Sequence, residues 1–96
     1  MMTSPPNTPL NESTIPQPRS GSTTLEGLPW LARMTDKARL QPTGALEILD
    51  LDYPCPMDQG LLKQLGLTGE AFQALALSLE DAALIAHLKN NGHWPQ

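Results

Sequence analysis

The chain has 96 residues, and its N-terminal third is poor in large apolar side chains, which leaves room for one domain of roughly 70 residues and excludes a second. Six basic against ten acidic residues give a formal charge of −4, which opposes non-specific nucleic-acid binding, a process that needs clustered Lys and Arg. The single cysteine cannot form an intramolecular disulfide, so the fold does not depend on oxidation.

The opening Met-Met-Thr-Ser-Pro-Pro has neither the charged start nor the apolar run of a signal peptide, and no stretch reaches the ~20 apolar residues of a bilayer span. The expectation is a cytoplasmic protein that does not engage membranes. Residues 1–24 hold five prolines with many Ser, Thr and Asn, and read as a disordered arm. Within it, Pro16-Gln17-Pro18-Arg19 favours a polyproline II conformation.

Residues 25–92 read as a small helical domain. Leu31, Met34 and Ala38 form the i, i+3, i+7 stripe of a first helix over 28–40, with Pro29 in its first turn. Arg33, Asp36, Lys37 and Arg39 fall on its polar side, where Arg33 with Asp36 and Asp36 with Arg39 are spaced to pair. Pro42 and Gly44 end this helix. Leu49, Leu51 and Tyr53 then alternate with Asp50 and Asp52, which predicts one short extended strand, with a frayed helical turn over Leu46 to Leu49 as the competing reading.

A second helix is predicted over 58–65, with Leu61, Leu62 and Leu65 inward and Gly66 as its stop. Thr68 is the N-cap of a third, whose buried stripe is Phe72, Leu75, Ala76 and Leu79. A fourth starts at Ser78-Leu79-Glu80-Asp81 and turns Leu84, Ile85 and Leu88 inward, leaving 93–96 as a short tail whose Trp94 folds back. The fold class is therefore mainly α, a bundle of about four short helices with one irregular or extended segment.

The stretch Tyr53-Pro54-Cys55-Pro56-Met57-Asp58-Gln59 stands apart. Each proline biases its predecessor towards extended backbone, so Tyr53 and Cys55 form a stiff lead into the second helix. If that helix starts just after Cys55, its free N–H groups favour an anionic sulfur, and Lys37 or Arg39 nearby would add to the effect. The competing view is that Cys55 is a small buried apolar group. Oxygen donors at Asp50, Asp52 and Asp58 lack the glycine of a calcium loop, and Cys55, His87 and His93 contain no close zinc-ligand pair, so no metal or other cofactor is expected.

The run from Leu28 to Arg39, the run from Asp52 to Gln59 and the Leu61-Leu62, Leu65-Gly66-Leu67 pattern together resemble a bacterial family of small proteins, domain of unknown function 5069. The resemblance spans roughly 27–92. The chain departs from the family pattern at Thr35, where an aliphatic residue is usual, at Gly60, where arginine is common, and in a longer stretch from Gly44 to Tyr53. The family carries no established activity. The resemblance implies that Asp36, Lys37, Arg39, Tyr53, Cys55, Asp58 and Gln59 belong together.

Two functions follow. In the first, the domain is a protein-interaction or accessory module, with Trp30, Trp94 and the aliphatic residues from Leu46 to Leu51 exposed as partner anchors and the polar set acting as a lock. In the second, Cys55 is a reactive thiol with Asp58 as the nearest acid, and Lys37 and Arg39 hold a small anionic ligand.

Overall fold

Helix α1, Leu31–Leu40, is the central element of the computed structural model, which describes residues 15–95. Leu31, Met34 and Ala38 share one face at spacings of three and four, and all three are fully buried. Thr35 joins them in the core, where its hydroxyl donates to the Leu31 carbonyl at 2.7 Å and so leaves no unpaired polar atom.

A 3₁₀ turn over Gln41–Thr43 and the single turn α2, Ala45–Ile48, lead to three further helices: α3 over Pro56–Leu65, α4 over Gly69–Ser78 and α5 over Asp81–Asn90. Gly66, at φ 72°, ends α3 in the left-handed region, where glycine has no Cβ penalty. Thr68 then caps α4 by accepting the Ala71 N–H at 3.0 Å. The core joins the α1 stripe to Leu46, Tyr53, Leu61, Leu62, Leu65, Phe72, Ala76, Leu84 and Leu88.

Several expectations need correction. The first helix begins at Leu31 rather than Leu28, because Trp30 takes φ 73° and Leu28–Pro29 instead pairs with Thr24–Leu25 as a two-residue antiparallel ribbon, β1 and β2. Glu26 and Gly27, both at positive φ, make the tight turn between them. The strand expected over 49–53 does not form; the competing helical turn does, as α2, after which Asp50 at φ 60° reverses the chain. Leucine alternation looked like a strand, but Leu46 is buried by packing, and no neighbouring strand is available for residues 49–53 to pair with among the described residues.

The expected arm over 1–24 lies partly outside the described residues. Its portion from Ile15 to Thr24 is packed: Ile15 and Pro18 are buried, and Arg19 is bonded to two helices. Trp94 folds back as expected and packs against the core, with the Lys89 ammonium 5.1 Å from its ring centroid. No helix among the described residues is long and apolar enough to cross a membrane.

Candidate functional site

Cys55 is the N-cap of α3, and its extended backbone, φ −82° and ψ 174°, is the conformation that Pro56 demands of its predecessor. Pro56 follows at the first helical position, where its missing N–H costs no hydrogen bond. Three residues after Cys55, Asp58 folds back so that its Oδ2 accepts the Cys55 N–H at 3.0 Å, while the sulfur faces the Asp58 N–H. This is a capping box built from cysteine and aspartate.

Asp58 has no exposed surface, and a carboxylate in that position persists only if its charge and lone pairs are matched. Both needs are met. The Lys37 Nζ donates to Oδ2 at 2.8 Å, and the Trp30 indole N–H donates to Oδ1 at 2.7 Å. Lys37 is itself 2% exposed, and its Nζ also lies 3.2 Å from the Cys55 sulfur. Trp30 is held in turn by the Gly21 carbonyl, which accepts its backbone N–H at 3.1 Å, and a Cβ at Gly21 would overlap the indole ring. The left-handed backbone of Trp30 costs about 1–2 kcal/mol, and these contacts hold it in place.

Asp36 and Arg39 belong to a different cluster. Asp36 turns away from Lys37 because successive helical residues point about 100° apart, and it takes Arg19 rather than the expected Arg33 or Arg39 as its partner, at 2.9 Å. Arg39 donates to the Ala76 carbonyl at 2.8 Å, the Leu79 carbonyl at 2.7 Å and Asp81 at 2.9 Å. Arg19 reaches Asp81 as well, at 2.8 Å. The guanidinium of Arg19, and after it that of Arg39, hold the Asp81 carboxyl below the usual carboxylate range against the opposing effect of burial. The same carboxylates, Asp36 first, raise Arg19 further above its already high value.

Tyr53 lies between α2 and α4, donating its hydroxyl to the Gly69 carbonyl at 2.6 Å. Burial, and then the negative charge of Asp58, push its phenol well above the ordinary tyrosine value. The Tyr53 carbonyl accepts from Gln41 at 2.8 Å, and Gln41 accepts from Gln73 of α4 at 2.8 Å. Gln59 is exposed and donates to the Pro54 carbonyl at 3.2 Å.

Two grooves flank Pro56. One, of about 420 Å³, is walled by Leu46, Leu51, Tyr53 and the half-buried Cys55, with Glu47 and Asp52 among its polar lining. The other, of about 430 Å³, runs between Leu28, Pro29 and Trp30 on one side and Met57, Gly60 and Leu61 on the other. Gly60 leaves it open, since nothing lies within 4 Å of where its Cβ would be.

The residues expected to form one site thus divide. Trp30, Lys37, Cys55 and Asp58 come together; Asp36 and Arg39 join Arg19 and Asp81; Tyr53 and Gln59 brace the backbone just before Cys55, Tyr53 through Gly69 and Gln59 through the Pro54 carbonyl. The sequence reasoning missed Arg19, Asp81, Gln41 and Gln73. Only Arg19 had a local signal, its place behind Pro16-Gln17-Pro18. Of the expected exposed anchors, Trp30 is half-buried with its indole N–H bonded and Leu46 is buried, while Ile48 is exposed as expected; Met57 and Leu77 are the other large apolar side chains exposed among the described residues.

The fold and site define a small helical domain whose polar residues converge on one helix N-terminus and on the joint between its last two helices. The family model described as Domain of unknown function (DUF5069) matches residues 15–96, and the chain belongs to that family. No curated protein and no solved structure matches it.

Proposed function

We propose that the chain is a protein-interaction module, acting as an accessory or regulatory subunit in the bacterial cytoplasm. The observation that supports this reading is the contrast at the start of α3. Both Asp58 oxygens and the Lys37 ammonium are committed to internal partners, whereas the grooves on either side of Pro56 stay open. The polar set then works as a lock that fixes residues 53–58 against α1. The groove beside Met57 takes an aliphatic or aromatic side chain of a partner. A free thiol that needs no oxidation fits the compartment.

A photocrosslinking residue placed at Met57, with Lys63 on the same helix as the control position, tests the reading in cells. A discrete adduct from position 57 is expected, absent from position 63 and lost when Gly60→Tyr fills the groove without changing the melting temperature. Identical adducts from both positions, or none, would contradict it.

The 3.2 Å contact between Lys37 and the Cys55 sulfur favours a second reading, a reactive thiol facing the first groove. Lys37 is the cation beside the sulfur under that reading, and the donors of Arg39 are spent on Asp81 and two carbonyls. Alkylation of Cys55 faster in the folded protein than in the unfolded chain supports thiol chemistry; protection until unfolding rules it out.

A further inference from the structure

We propose that Cys55 and Lys37 are joined by peroxide in a sulfenamide link between Sγ and Nζ, which staples α1 to the start of α3. The inference concerns the lock itself and stands whether or not a partner docks in the grooves. Two observations carry it. The sulfur and the amine are 3.2 Å apart on elements that pack together, so the amine meets any oxidised sulfur at a very high effective concentration. Their exposure is also opposite: Cys55 is half-buried on the wall of a groove, open to a small oxidant, whereas Lys37 is 2% exposed and waits on the protein side.

The chemistry closes with hydrogen peroxide as the oxidant. The sulfur, as thiolate, attacks one peroxide oxygen; the O–O bond breaks, and the departing hydroxide takes a proton from the Lys37 ammonium, leaving a sulfenic acid, a free amine and water. The amine then attacks the sulfur, the S–O bond breaks, and the second hydroxide leaves with a proton from nitrogen as water. Thiolate, ammonium and peroxide give one S–N bond and two waters, with sulfur oxidised by two electrons and the peroxide oxygens reduced. Asp58, 2.8 Å from Nζ, pairs with the ammonium before the step; afterwards it accepts the N–H of a neutral nitrogen, so the covalent link forms at the expense of the buried ion pair. Trp30, its ring centroid 6.0 Å from Nζ, screens the amine on another side.

The test exposes the folded full chain to a small excess of hydrogen peroxide and reads its intact mass and tryptic peptides. The link removes two hydrogens from the chain, blocks cleavage after Lys37, and joins the peptide 34–39 to the peptide 40–63; a dithiol restores both. Met34 and Met57 lie in these same two peptides, so oxygen gained there is told apart from oxygen on Cys55 by sequencing the peptides in the mass spectrometer. Lys37→Gln, and the wild-type chain unfolded in denaturant, are expected to collect oxygen on Cys55 and give no joined peptide. Oxygen adducts of Cys55 without the joined peptide in the folded wild type, an unreactive Cys55, or equal joining in the unfolded chain would each overturn the proposal.

Discussion

The Lys37 ammonium and the Asp58 carboxylate form a 2.8 Å ion pair in which neither side chain exposes more than 3% of its surface. They come from α1 and α3, which contribute to one core together with α4, and they are 21 residues apart in sequence. Isolated, either charge would be several kcal/mol out of place in such surroundings. Together with Trp30 and the Cys55 N–H they form a closed set, and this set positions the thiol and the two grooves.

Arg39 joins α1 to the joint between α4 and α5 through two carbonyls and Asp81. Arg39→Ala leaves the Ala76 and Leu79 carbonyls without that donor. The expected loss, measured by urea unfolding, is about 1–3 kcal/mol, tempered because the side chain is partly exposed. Glu26→Gln removes the exposed pair with Lys89, leaves the Lys89–Trp94 contact in place, and is expected to change stability by at most about 1 kcal/mol. Equal effects of the two substitutions would contradict the difference in role.

Acid should act through Asp81. Its folded value is depressed, chiefly by Arg19, so it contributes stability above the unfolded carboxylate value near 3.9 and loses it as pH falls through the folded value. Asp81→Asn is therefore expected to be less stable than the wild type at neutral pH and to close the gap below about pH 4. Unfolding midpoints across that range check this; a constant gap would exclude Asp81 as the titrating group.

Alkali should act through Tyr53, the one tyrosine of the chain. Its folded value is raised, mainly by burial, so its stabilising contribution is complete below the unfolded value near 10 and is lost as pH rises towards the folded value. Phenolate absorbance is expected to appear only as the protein unfolds above about pH 10. A reversible phenolate signal at pH 10, with the helical circular dichroism intact, would show Tyr53 to be exposed.

The helices were legible because their evidence is local. The stripes Leu31, Met34, Ala38 and Leu61, Leu62, Leu65, the cap at Thr68 and the stop at Gly66 each lie within one or two turns. The site was legible as a set of residues and not as an arrangement. A lysine on a helix is ordinarily solvated, and only the arrival of Asp58 on α3 makes burial of Lys37 tolerable. The Pro-rich stretch marked the place of Arg19 but not its pairing, because its partner Asp81 is 62 residues away. Leu49 and Leu51 misled through alternation, since no local signal announces the left-handed turn at Asp50.

The strength of the Lys37–Asp58 lock is measured by a double-mutant cycle in urea. Lys37→Met and Asp58→Leu are each expected to cost about 3–5 kcal/mol, because each removes one side of the buried pair. The double variant should lose clearly less than the sum, with a coupling of about 2–3 kcal/mol; full recovery is not expected, because Trp30 and the Cys55 N–H still lose their acceptor. Additive losses, or single variants as stable as the wild type, would contradict the lock.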